Sequence, residues 1–165
     1  MPDSDEPDVP RERAESCFRK GYDAQMRGDL DAAICWYQES LAAWPTAEAH
    51  TFLGWTLSFR GDYEGAIREC HRAIEVDPDF GNPYNDIGSY LIRLGRHDEA
   101  EAWLKRAMVA PRYEPRHYPH VNLARVLARR GDIQGAIREL RMALQLVPGY
   151  RPARMELHRL LGLLN

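Results

Sequence analysis

His117 and His120 stand three residues apart in the stretch "RYEPRHYPHVN" (residues 112–122), with Glu114 just upstream. Imidazoles at i and i+3 on a helix lie on one face, an arrangement suited to holding a metal ion or passing a proton. A metal needs further ligands, however, and Glu114 falls in the connection ahead of the helix, so no metal site is expected. Cys17, Cys35 and Cys70 are odd in number, far apart and without a CxxC pair. They read as structural thiols and not as a disulfide framework or a zinc ribbon. The chain has no GxSxG, HExxH, phosphate-binding glycine loop or dinucleotide fingerprint. The expectation is therefore a non-enzyme that needs neither cofactor nor metal.

Composition narrows the class further. A chain of 165 residues that is 44% apolar can bury a core. No apolar run approaches the length that spans a bilayer, and the start "MPDSDEPDVPRER" lacks the basic and apolar regions of a secretory leader. The expected compartment is the cytoplasm. Charge is unevenly spread: residues 1–111 hold 12 Lys and Arg against 21 Asp and Glu, whereas residues 112–165 hold 10 against 4. The arginines of the basic end are scattered along helix-like segments without a dense run, so nucleic acid is not the expected partner.

The elements that must position these residues repeat. "RGDLDAAI" begins at Arg27, "RGDYEGAI" at Arg60, "LGRHDEAE" at Leu94 and "RGDIQGAI" at Arg130; their glycines are separated by 33, 34 and 36 residues. Each glycine lies between two amphipathic segments of helical length. Leu53, Leu57, Ala66, Ile67, Cys70, Ala73 and Ile74 recur at spacings of three and four within their segments. The glycine supplies a helix stop and the following Asp29, Asp62 or Asp132 a cap for the next helix. Each repeat therefore reads as an antiparallel helical hairpin.

Counted from Ala14, Ala47, Gly81 and His117, the eighth place holds Gly21, Gly54, Gly88 and Ala124. A second small series is Ala33, Ala66, Ala100 and Ala136, and a third is Ser40, Ala73, Ala107 and Ala143. Pro45, Pro78 and Pro148 close their repeats, with Pro111 one place early. Small residues at these places let two helices approach closely. Tyr37, Cys70, Leu104 and Leu140, with Leu57, Leu91 and Leu127, fill the neighbouring gaps. This pattern resembles the tetratricopeptide repeat, a helix-turn-helix unit of about 34 residues.

The resemblance implies an all-α fold, a right-handed helical-hairpin solenoid of four repeats plus a C-terminal capping helix. The expected layout is a flexible acidic tail over 1–13, repeats over 14–46, 47–80, 81–116 (with an extended connection) and 117–150, and a cap over 151–165. In the cap, Met155, Leu157, Leu160, Leu161 and Leu164 form the expected apolar side. Lys20 stands where later repeats have Leu53, Ile87 and Leu123, which predicts a more exposed first repeat. His120 shares its place with Cys17, His50 and Tyr84, where packing between the paired helices is the expected role. Pro119 precedes His120 as Pro83 precedes Tyr84, so both read as residues of a helix start.

The resemblance also implies where a partner would bind, because first helices of such repeats line a concave groove that commonly takes an extended peptide or a partner's helix. The projected lining includes Phe18, Tyr22 and Met26; Thr51, Phe52, Trp55 and Phe59; Asn82, Asn85, Asp86, Ser89 and Arg93; and Tyr118, Asn122, Arg125 and Arg129. Of these, Tyr22, Trp55, Phe59, Asn82, Asn85, Ser89, Tyr118, Asn122, Arg125 and Arg129 are the candidate partner-binding residues. Aromatic anchors, backbone-pairing amides, and arginines for a carboxylate or phosphate suit an extended protein segment with an apolar and an acidic part. The alternative is that the aromatics pack within or between repeats.

Chaperone-binding members clamp a C-terminal carboxylate with Lys, Asn and Arg. Those places hold Phe18, Tyr22, Phe52, Asn82 and Asp86, or, one repeat on, Thr51, Trp55, Asp86, Tyr118 and Asn122. Neither set forms the clamp, so a chaperone tail is not the expected ligand. The leading reading is a non-catalytic protein-interaction module. The alternatives are an assembly or self-association scaffold, favoured by the opposed charges of the two ends, and an accessory subunit of an enzyme.

Overall fold

The computed structural model describes residues 9–164, and among them the fold is all-α, a helical-hairpin solenoid class of nine helices. The chain forms two compact lobes, one ending at Pro78 and one beginning at Asp79. The N-terminal lobe contains α1 (Val9–Met26), α2 (Leu30–Ala43), α3 (Ala47–Phe59) and α4 (Tyr63–Val76). The C-terminal lobe contains α5 (Asn82–Arg93), α6 (His97–Val109), α7 (His117–Arg129), α8 (Ile133–Leu146) and α9 (Arg151–Gly162). Helix α1 already runs at Val9, so residues 9–13, expected as part of a tail, are helical. The first eight residues of that expected tail lie outside the described residues.

The glycine of each hairpin turn is required by backbone conformation and not by space. Gly28, Gly61, Gly95 and Gly131 have φ between 78° and 83°, and a Cβ added to any of them would meet nothing within 4 Å. This left-handed residue lets the next N–H reach back five residues: Asp29 to Ala24 O (2.9 Å), Asp62 to Leu57 O (3.1 Å), Arg96 to Leu91 O (2.8 Å) and Asp132 to Leu127 O (3.0 Å). Three turns then start their second helix with a carboxylate cap. Asp29, Asp62 and Asp132 accept from the N–H of Ala32, Gly65 and Gly135 at 3.1, 2.8 and 2.7 Å. In the third turn Arg96 stands there instead and pairs with Glu99.

Close approach explains the small residues of the first helices. A Cβ on Gly21 would lie 2.8 Å from the Tyr37 ring, and one on Gly88 would lie 2.6 Å from Leu104. Tyr37, Leu104 and Leu140 are fully buried beneath them, with Ala33, Ala66, Ala100 and Ala136 alongside. Two polar side chains of this core are anchored inside it: Tyr37 donates to Gln25 Oε1 at 2.8 Å and Ser40 to Ala14 O at 2.8 Å. Lys20 is exposed, and its ammonium sits 4.5 Å from the centre of the Trp36 ring.

The longer connection before α7 is a built joint. Gly81 N–H donates to Arg112 O (2.9 Å) and Arg112 N–H to Asp79 O (3.0 Å), a parallel bridge. The bridge carries Tyr113 into the core against Gly81, where a Cβ would meet Tyr113 Cβ at 2.3 Å. Arg116 then donates to Met108 O (2.8 Å) and Ala110 O (2.9 Å), satisfying carbonyls at the end of α6.

Helix α9 corrects the expected apolar side of the cap. Ala153, Leu157 and Leu160 pack with Val121, Ala124, Leu140 and Ala143, while Met155 is 61% exposed and Leu161 and Leu164 are also exposed. The buried set follows the i, i+4, i+7 spacing of one helical stripe, and Met155 lies off it.

Candidate partner-binding faces

The His117 and His120 pair is divided between two structural tasks. His120 Nδ1 lies 2.7 Å from Glu139 Oε2 on the opposite helix of its hairpin, and His50 Nδ1 makes the same 2.7 Å contact with Glu69 Oε2. In each case the carboxylate follows the histidine by 19 residues. The third repeat has Tyr84 and Trp103 at these places, with ring centroids 6.1 Å apart. His117 instead stacks on Tyr118 (4.2 Å) and meets Tyr150 (4.7 Å), and burial lowers its pKa. Among the described residues no group of three or more His, Cys, Asp and Glu could hold a metal ion. No helix among them is long and apolar enough to cross a membrane.

In the N-terminal lobe the projected residues form an aromatic face. Trp55 is 37% exposed, Tyr22 42% and Phe59 57%. Their backing is Phe52, half-buried, 5.7 Å from Trp55, 5.9 Å from Tyr22 and 5.2 Å from Phe18, with Trp55 and Phe59 5.3 Å apart. Phe18 and Phe52 also touch Tyr37, which ties the face to the core. Edge and tilted contacts of this kind hold rings in fixed orientations. Thr51, projected beside them, is buried and donates to Ala47 O at 2.7 Å.

In the C-terminal lobe the polar candidates form a chain of hydrogen bonds. Asn122 Nδ2 on α7 donates to Asn85 Oδ1 on α5 at 3.0 Å, and Arg125 Nη1 donates to Asn122 Oδ1 at 3.0 Å. Both asparagines are buried, so much of their capacity is spent on each other. Asn85 Nδ2 also reaches Asp86 Oδ1, at 3.4 Å. Burial raises the Asp86 carboxyl pKa to about 7, with Asn85 opposing that rise. Asn82 and Ser89 are half-buried; Tyr118, Arg125 and Arg129 are exposed.

Arg125 and Arg129 share a cleft of about 290 Å³ with Ile92, Ala128, Glu156 and Arg159. Arg159 forks onto Glu156 at 2.9 and 2.6 Å and holds that carboxyl's pKa down. Neither Arg125 nor Arg129 is within ion-pairing distance of a carboxylate among the described residues. Three guanidiniums thus face one carboxylate, leaving a positive surface. Sequence reasoning missed Arg159, Glu156 and the Tyr150 ring that meets Tyr118 at 5.8 Å. Extending the repeat register past Arg151 places Glu156 and Arg159 at the sixth and ninth places, the signal that would have found them.

Two models of the tetratricopeptide repeat match the chain, over residues 52–115 and 117–142. Small glutamine-rich tetratricopeptide repeat-containing protein 2 of Mycosarcoma maydis is 31% identical over 105 residues, 62% of this chain and 30% of that protein. Protein O-mannosyl-transferase Tmtc1 of Drosophila melanogaster is 34% identical over 100 residues, 56% of this chain and 12% of that protein. The chain thus spans less than a third of the curated relatives it matches. Among solved structures, Pseudomonas aeruginosa PilF superposes with a TM-score of 0.86 at 22% identity, covering 93% of this chain and 69% of that one. A structure of MamA protein gives 0.74 at 23% identity, over 90% and 81%. At these identities the likeness to the solved structures is one of fold; the tetratricopeptide repeat that the family models match is generally a protein-interaction or scaffold module.

Proposed function

We propose that this chain, which belongs to the tetratricopeptide repeat family, is a non-catalytic module that recruits a partner protein through an extended segment. The observation that carries this reading is the pair of exposed rings Trp55 and Phe59, packed against each other, with Trp55 held edge-on by the half-buried Phe52. Large rings fixed in place before binding lose little entropy when a partner covers them, which makes them efficient anchors. Within the N-terminal lobe Tyr22, Trp55 and Phe59 offer a surface for an apolar part of a partner; within the C-terminal lobe Arg125 and Arg129 offer guanidiniums for an acidic part. Asn82, Ser89 and Tyr118 offer further polar contacts in the C-terminal lobe, while Asn85 and Asn122, bonded to each other, hold α5 against α7. Pull-downs from the native proteome with wild type, Trp55→Ala/Phe59→Ala and Arg125→Ala/Arg129→Ala test this reading. Each variant should weaken capture of at least one partner; identical partners at identical strength in both would overturn it.

A second reading is favoured by exposed apolar side chains near the C-terminal end, Met142, Leu146 and Met155. They and the opposed charges of the two ends suit self-association into a scaffold. Fold relatives include MamA and PilW, the latter described as a type IV pilus biogenesis factor. Light scattering across a salt series separates the readings: a strictly monomeric species at low salt and high concentration counts against self-association.

A further inference from the structure

Among the described residues, several buried and half-buried carboxylates sit against a cation or an imidazole. Glu69 meets His50 and Arg72, Glu101 meets Lys105 and Arg130, Glu139 meets His120, and Glu156 meets Arg159. Asp86 has none of these. A carboxylate offers about four acceptor positions, and Asp86 uses one of them, for the Asn85 amide at 3.4 Å, beyond the usual range for such a bond. Its other electrostatic neighbour is the Tyr113 phenol, whose own ionisation is suppressed first by burial and then by the Asp86 charge. A second independent observation fixes its surroundings. The Asn85 to Asn122 bridge and the Asn122 to Arg125 bond hold the neighbouring amides in place, so among the described residues the long Asn85 contact is the one side-chain hydrogen bond the carboxylate receives.

We infer that Asp86 is the receptor for a cationic group of the bound segment, a Lys or Arg side chain or an N-terminal ammonium. The inference rests on the groove-binding reading above and adds the chemistry of the partner. Along the C-terminal lobe a carboxylate on α5 and guanidiniums on α7 are separated by two bridged amides. The matching segment therefore carries a basic group at Asp86 and an acidic group at Arg125 and Arg129. A charge-assisted bond to Asp86 would replace solvent that the partly buried carboxylate has already lost, so a cation gains more here than at an exposed acid.

The probes are N-acetyl-lysine methylamide, its uncharged analogue N-acetyl-norleucine methylamide, and N-acetyl-glutamate methylamide, titrated into the full chain at pH 8 and followed by amide NMR. The lysine probe should shift the Asn85 side-chain amide and the Asp86 backbone saturably, at least threefold more than norleucine. Asp86→Asn should abolish that difference while Arg125→Ala/Arg129→Ala preserves it. The glutamate probe should show the reverse dependence. Lysine shifts no larger than those of norleucine, or shifts that survive in Asp86→Asn, overturn the inference. If the glutamate probe still binds in that case, the groove reading stands alone; if neither probe binds, both fail. The wild-type comparison decides the question even if a variant does not fold.

Discussion

Asn122 Nδ2 donates to Asn85 Oδ1 at 3.0 Å, joining the first helices of two successive hairpins through a buried amide pair. Asn85 and Asn122 lie 37 residues apart in sequence, a separation set by the longer connection between them. Truncating one partner strands the other's polar atoms, which costs about 1–3 kcal/mol. Asn85→Ala and Asn122→Ala should each destabilise by that much, and the double variant by less than their sum. Urea unfolding of the set gives the coupling; strict additivity would mean the pair contributes nothing jointly.

Asp86 sets a pH dependence with a definite sign. Its carboxyl has a pKa near 7 in the folded chain against an ordinary 3.8. Below the ordinary value both states are protonated and there is no penalty. Between there and about 7 the penalty grows with pH, and above 7 it is constant. Asp86→Asn should therefore stabilise at pH 8 by on the order of 1–3 kcal/mol, and by less as pH falls toward 5. Urea midpoints at several pH values check this; a variant no more stable than wild type at pH 8 would contradict it.

Two chemically distinct solutions occupy the same place in successive hairpins: His120 with Glu139, and Tyr84 with Trp103. The histidine–carboxylate and the aromatic solutions should each be self-consistent. Glu139→Gln should cost roughly 1 kcal/mol, and His120→Tyr/Glu139→Trp should be better tolerated than either single change. A thermal-unfolding cycle with no favourable coupling would show the two places to be independent.

Glycines of different origin should respond differently to alanine. Gly131→Ala meets the left-handed backbone at φ 83° and should cost about 1 kcal/mol. Gly88→Ala meets Leu104 at 2.6 Å and should cost roughly 1–3 kcal/mol through overpacking. Gly149→Ala has neither problem, with open space around its Cβ and no positive φ, and should change stability by less than about 0.5 kcal/mol. Chemical denaturation midpoints separate the three.

Residue type and spacing alone specify the hairpin and its core. Glycine at each turn, aspartate after it and small residues at fixed places are local requirements, imposed by backbone conformation, capping and helix contact distance. Each is readable from residue type and spacing. The aromatic face was legible for the same reason, since Trp55 and Phe59 follow one helical register. Relationships between side chains far apart in sequence emerge only from the packing of the helices. The Asn85 to Asn122 bridge turned two projected ligand contacts into a mostly internal pair. The parallel bridge of Phe80 and Arg112 gave the longer connection its purpose, placing Tyr113 in the core. The partner of His120 is Glu139, on the neighbouring helix, and not His117 three residues away. Periodicity fixes which face a residue lies on, but hydrogen-bond pairing depends on distances of a few tenths of an ångström between helices, and those emerge only when the helices are packed.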